Sequence, residues 1–118
     1  MENNKVYGML GLAAKSGSVV SGGNSCEIYL KKRNIPPLLI IASDASENTK
    51  EKFLSLAIKK GILYKIFGKS EELGKYTGKD NRSVLIITNN GFAESITATL
   101  DSLVRKNGGG HIGKNQGL

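Results

Sequence analysis

The sequence predicts an α/β fold, a three-layer α/β/α sandwich with a small mixed sheet. Two uninterrupted aliphatic runs, 38–42 and 84–87, have the composition of strands that are buried on both faces. Segments with apolar residues at helical spacing alternate with the candidate strands, an order that places helices against both faces of a sheet. The 118 residues are enough for one domain with its own hydrophobic core.

The first helix follows from apolar residues that recur at helical spacing between positions 6 and 14. Asn3 or Asn4 is its predicted N-cap, and Gly17 is its predicted end. The valine pair at 19–20 then predicts a short strand.

The second helix is predicted over 24–33. Asn24 is a favourable N-cap, and Glu27 stands three residues later, as in a capping box. Ile28 is expected to face the core. The Ile-Pro-Pro sequence at 35–37 ends the helix, because proline lacks the N–H that a helix needs.

The third helix is predicted over 47–60, after a turn at 43–46, and Gly61 is its predicted end. Its apolar residues fall on one stripe: Phe53, Leu54, Ala57 and Ile58. Residues 62–67 predict another strand.

A short helix is predicted next, from Ser70 as its cap to Tyr76. Glu71 and Glu72 lie in its first turn, where the helix dipole favours acidic side chains. After the strand at 84–87, an apolar stripe predicts the last helix: Phe92, Ile96, Leu100, Leu103 and Val104.

Composition changes after Arg105. We expect a domain over 1–105 and a flexible, glycine-rich basic tail over 106–118, because the tail has little to bury. The tail contains His111, the single histidine of the chain.

The charge balance favours a polyanionic partner. Seventeen Lys and Arg face ten Asp and Glu, a formal charge of +7, which suits a nucleic acid, although a role of the charge in solubility alone remains open. No apolar run approaches the roughly 20 residues of a membrane span, and the N-terminus lacks the pattern of a secretory signal. With Cys26 as the one cysteine, a cytoplasmic location without a membrane partner is expected.

Catalytic chemistry has little material in this sequence. One cysteine and one histidine cannot make a structural zinc site, and the glycine loops lack the spacing of nucleotide-phosphate motifs. We therefore expect no enzyme activity, cofactor, metal or small-molecule substrate. The alternative of a thiol-dependent enzyme rests on Cys26, whose competing role is that of a small buried residue.

The strongest candidate site is the turn at Gly22 and Gly23. Two glycines let a partner approach the backbone closely, and the helix that follows presents free N–H groups that favour anions. Asn24 and Ser25 add donors and acceptors at the same point. Three lysines on or beside the helices are further candidates for binding the anionic partner: Lys15, Lys31 and Lys32. For Lys31 and Lys32, a solvent-exposed position without a binding role remains open.

Three segments, in order, resemble the ribosomal-protein L7Ae family, which binds kink-turn RNA. They are LGLAAKSGSVVSG at 10–22, LLIIASDASENTKEKF at 38–53 and EELGKYTGK at 71–79, and the similarity extends over about 5–103. The sequence is most similar to the YlxQ-like bacterial branch. The resemblance implies an α/β/α sandwich that binds RNA without a cofactor, in association with the ribosome or translation factors.

The resemblance also implies where RNA binds. The turn at 22–25 would meet kinked RNA, and the loop of Asn81, Arg82 and Ser83 would contact it from the other side. Ser25 and Ile28 stand where well-studied members carry Glu and Lys, so a different or looser RNA target is plausible. The alternative is a protein–protein adaptor that has kept the fold and lost kink-turn recognition.

Overall fold

A computed structural model describes residues 2–32 and 34–108, which form five helices and four strands. In chain order these are α1 (Glu2–Lys15), β1 (Val19–Ser21), α2 (Gly23–Lys31), β2 (Leu38–Ile41), α3 (Glu47–Lys60), β3 (Tyr64–Ile66), α4 (Ser70–Tyr76), β4 (Val84–Ile87) and α5 (Asn90–Gly108). No helix in these two ranges combines the length and apolar character that crossing a membrane requires.

The four strands form one mixed sheet in the order β1-β4-β2-β3. β4 pairs antiparallel with both β1 and β2, whereas β2 pairs parallel with β3. Every residue of β2 and β4 is buried, as the two aliphatic runs predicted. The two central strands, β2 and β4, therefore lie at the centre of the hydrophobic core.

The helices pack in two groups around this sheet. α1 contacts α4 and α5, and Tyr7 of α1 stacks on Tyr76 of α4 with ring centroids 4.7 Å apart. α2 packs on β1 and β4, α3 packs on β2, and Glu27 of α2 pairs with Lys52 of α3. The predicted α/β/α sandwich with a small mixed sheet is confirmed.

Two helices begin or face differently from the prediction. α1 already includes Asn3 and Asn4, so neither residue is its N-cap. In α3, Ser46 is the N-cap and Gly61 ends the helix with φ 70°, as predicted for the end. Ile58, however, is 71% exposed, because the buried side of α3 is centred on Phe53 and Ala57.

β3 is an edge strand and shorter than predicted, with three residues. Tyr64 and Ile66 are exposed, while Lys65 between them pairs with Asp101 of α5 across 2.7 Å. At the other end of the fold, the α5 backbone runs to Gly108, three residues into the predicted tail. The rest of the predicted tail, with His111, lies outside the described residues.

Two buried acids keep their protons in alkaline solution. Burial, and then a hydrogen bond from Tyr7 to Glu72, raises the pKa of Tyr7 from 10.0 to about 12. Burial raises the pKa of the Cys26 thiol from 9.0 to about 12. The unfolded chain therefore loses these protons first as the pH rises, which weakens the folded state.

We expect each group to lower the free energy of unfolding by about 1.4 kcal/mol per pH unit, from about pH 9 for Cys26 and from about pH 10 for Tyr7, up to about pH 12. Urea denaturation across this range measures the slope. Cys26→Ala should make the slope shallower by one proton. An equal slope in the variant and the wild type would contradict the assignment to Cys26.

Candidate nucleic-acid interface

Gly22 is the single residue that connects β1 to α2. Its backbone has φ 93° and ψ 148°, a conformation that is almost restricted to glycine. Its N–H donates to the Val84 carbonyl at 3.0 Å, and its own carbonyl accepts from Cys26 N–H at 2.9 Å. Gly22 thus continues the sheet and starts the helix at once.

Because Gly22 is the N-cap, the predicted cap at Asn24 is wrong. Asn24 lies in the first turn of α2 with an exposed side chain, and no side chain caps this helix. Glu27 makes no capping box either, since its carboxylate pairs with Lys52 at 3.0 Å and Lys31 at 3.5 Å. The first-turn amides therefore have no side-chain cap, and Asn24 is exposed in the same turn.

Arg82 joins the two halves of the candidate interface. Its Cδ and Nε atoms lie 3.6 Å from the position that a Cβ on Gly22 would occupy. Nε donates to Ser21 Oγ at 3.3 Å, and Nη1 donates to the Asn81 carbonyl at 2.9 Å. The space above Gly22 is therefore covered by the Arg82 side chain, which places a positive charge beside the turn.

Only part of the predicted 81–83 loop faces the turn. Asn81 is exposed and adjoins Arg82. Ser83 instead shares a hydrogen bond of 2.9 Å with the Ser70 hydroxyl, and its carbonyl accepts from the Ala42 N–H. Ser83 is therefore a support for the loop within the fold.

The three predicted lysines lie away from Gly22. Lys31 and Lys32 are exposed at the far end of α2, about 12 Å along a helix of this length. Lys15 precedes β1 whereas Gly22 follows it, so these two residues lie at opposite ends of the strand. The structure thus brings together the turn and Arg82 but not the lysines.

α2 has an exposed face that includes Ile28 and a buried face that includes Cys26. Ile28 is 56% exposed, so the expectation that it faces the core is wrong. It lies one helical turn after Asn24 and shares that exposed face. Cys26 is fully buried, its thiol contacts the Val20 carbonyl at 3.4 Å, and it has the packing role predicted for it.

Two residues outside the predicted site, Gly74 and Asp44, hold the Arg82 loop in place. A Cβ on Gly74 would lie 1.6 Å from the Asp80 carbonyl oxygen, so only glycine lets α4 approach the loop this closely. Asp44 accepts hydrogen bonds from both the N–H and the hydroxyl of Ser70, each at 2.9 Å. Asp44 thereby supplies the cap of α4 that was predicted for Ser70.

Within residues 2–32 and 34–108, no three His, Cys, Asp or Glu side chains come together in a way that could hold a metal ion. The chemistry concentrated at the interface is that of hydrogen-bond donors, an amide side chain and one guanidinium. These groups suit an anionic ligand.

Known proteins share this sequence and this fold. The chain is 32% identical over 103 residues to the RNA-binding protein YlxQ of Bacillus subtilis (strain 168). The alignment covers 86% of this chain and 100% of that protein. A solved structure of a Bacillus halodurans protein of unknown function has 30% identity and a TM-score of 0.76, covering 82% of this chain and 97% of the other.

A more distant solved structure shows the same fold. The 15.5kD RNA binding protein of Giardia lamblia has 20% identity and a TM-score of 0.69, covering 87% of this chain and 90% of that one. Residues 4–97 match the model of one family. The match spans most of the chain, which therefore belongs to the ribosomal protein L7Ae/L30e/S12e/Gadd45 family, on its YlxQ-like bacterial branch.

Proposed function

We propose that this protein binds kinked or otherwise structured RNA through a single surface, the Gly22–Arg82 interface. This surface consists of Ser21 to Ser25, with Asn81 and Arg82. The observation that supports it is the placement of Arg82 over Gly22, beside the uncapped first turn of α2. The RNA-binding relative YlxQ, aligned over its full length, supports the same function.

Each group of the interface suits a different part of RNA. The first-turn amides and the Arg82 guanidinium favour phosphate oxygens. The Asn24 amide can both donate to and accept from a base edge. A kinked or bulged RNA exposes base edges that a regular A-form helix hides, so the proposed partner has an irregular shape.

We also propose that the RNA belongs to the ribosome or the translation machinery. The family that the chain belongs to takes its description from ribosomal proteins, which supports this assignment. Crosslinking the protein in cells and sequencing the attached RNA tests it. Recovery of unrelated transcripts without a common structure would contradict the assignment.

Salt dependence tests RNA binding itself. A labelled RNA hairpin with tandem sheared G·A pairs beside an internal bulge serves as the probe. Contacts with several phosphates should weaken affinity steeply between low and moderate salt. No binding to the probe, together with no RNA retained from cells, would favour the protein–protein adaptor instead.

Asn24→Ala provides a specific test of base recognition. We expect about tenfold weaker binding of the probe, since each amide contact with a base edge contributes about 1–3 kcal/mol of discrimination. Stability should not fall, because Asn24 is exposed and does not cap α2. A thermal melt alongside the titration separates these effects, and unchanged affinity would exclude Asn24 from the interface.

A further inference from the structure

Asp44 lies outside the Gly22–Arg82 interface, in the turn between β2 and α3, but it is linked to the Arg82 loop. Its Oδ1 accepts from the backbone N–H of Ser70 and from the Ser70 hydroxyl, both at 2.9 Å. These hydrogen bonds, first from the N–H and then from the hydroxyl, lower the pKa of Asp44. The carboxylate is therefore ionised at neutral pH.

The direction of the next hydrogen bond follows from this arrangement. An ionised carboxylate can only accept, so the single hydroxyl hydrogen of Ser70 is directed to Asp44. Ser83 Oγ lies 2.9 Å from Ser70 Oγ and must therefore be the donor between the two hydroxyls. Asp44 thus orients Ser70, and Ser70 orients Ser83.

The same serine also holds the backbone of the loop. The carbonyl of Ser70 accepts from the Arg82 N–H at 3.0 Å. The neighbouring Ser83 carbonyl accepts from Ala42 N–H at 2.8 Å, which ties the loop to the end of β2. Arg82 and Ser83 are therefore fixed from both sides, with Asp44 at the start of the chain of contacts.

We propose that Asp44 is a positioning residue for RNA recognition, which holds Arg82 over Gly22 through Ser70 and Ser83. This inference rests on the proposed function, because it concerns how the same surface is kept in a binding geometry. It assigns to an acidic side chain a favourable effect on the binding of an anionic partner.

That effect has the opposite sign to simple electrostatics, which makes the proposal testable. Removing a negative charge near an RNA surface should strengthen binding if charge alone matters. If Asp44 positions Arg82, Asp44→Ala should instead weaken binding of the G·A hairpin by about tenfold, as expected for losing hydrogen bonds to a charged group. Titrations are run well below the melting temperature of each variant.

Two variants separate positioning from charge. Asp44→Asn loses the same charge but keeps an oxygen that can accept from Ser70, so it should retain most of the wild-type affinity. Glu47→Ala removes an exposed carboxylate three residues away, in the first turn of α3, and should bind as well as the wild type or better. Equal weakening by Asp44→Asn and Asp44→Ala would overturn the positioning role.

A double-mutant cycle of Asp44→Ala with Arg82→Ala measures the coupling between the two residues in RNA affinity, which a general loss of stability does not change. Without the guanidinium, Asp44→Ala should change affinity by less than about twofold, because the side chain that Asp44 is proposed to position is gone. Additive losses, or tighter binding by Asp44→Ala alone, would overturn the inference. Failure of the wild-type protein to bind the hairpin, together with no RNA retained from cells, would instead overturn the proposed function.

Discussion

Gly74→Ala is expected to lower the free energy of unfolding by about 2 kcal/mol. The new methyl group would overlap the Asp80 carbonyl, where the Cβ position is 1.6 Å from the oxygen and 2.4 Å from the carbon. Overpacking of this severity costs about 3 kcal/mol, whereas alanine gains about 1 kcal/mol over glycine in a helix. The net loss corresponds to a melting temperature lower by roughly 8 °C.

The same substitution should weaken RNA binding, because relief of the overlap must displace the backbone at Asp80 and Asn81 and carry Arg82 with it. Gly8→Ala is the matched control: Gly8 is exposed in α1, and a Cβ there would meet nothing within 4 Å. We expect this control to be more stable than the wild type by about 0.5–1 kcal/mol. Equal melting temperatures for Gly74→Ala and the wild type would contradict the close packing of α4 on the loop.

Arg82→Ala is expected to reduce affinity for the G·A hairpin by at least about tenfold, which is about 1.4 kcal/mol. Its guanidinium is the cation that lies against Gly22, so it is placed to contact phosphate or to stack on a base. The slope of log affinity against log salt should become shallower by about one unit if it contacts one phosphate. The fold should change little, because the side chain makes one half-buried hydrogen bond, to Ser21 Oγ, and one exposed hydrogen bond, to the Asn81 carbonyl.

Two controls refine this result. Arg82→Lys keeps the charge but loses the planar fork, so partial recovery would indicate a phosphate contact, and no recovery would indicate stacking or bidentate binding. Lys5→Ala removes an equal charge from an exposed position on α1 and should change affinity little. If Lys5→Ala and Arg82→Ala weaken binding equally, recognition occurs through general charge rather than through the Gly22–Arg82 interface.

The layers and central strands could be predicted because their signals are local. Continuous aliphatic runs leave few alternatives to buried strands, and Gly61 after a helical stripe gives a clear end. Both segments of the proposed interface, the Gly22 turn and Arg82, are recognisable in the sequence, but their contact in the fold is not.

The errors arose where distant parts of the chain decide local structure. Asn24 is the better cap by preference, but the hydrogen bond from Gly22 to Val84 in β4 fixes the helix start two residues earlier. The partner of Asp44 is 26 residues away at Ser70, and no local pattern indicates it. The net charge likewise predicts a basic protein, but it does not predict where each lysine lies relative to the Gly22 turn.

The pairing of β1 with β4 has a consequence for the newly made polypeptide. Ser21 and Arg82 are 61 positions apart, and β1 reaches the sheet only through β4. An emerging chain that ends before position 84 therefore holds both halves of the surface but has no strand to bring them together. We therefore expect the proposed surface to form late in synthesis, after β4 has left the ribosome.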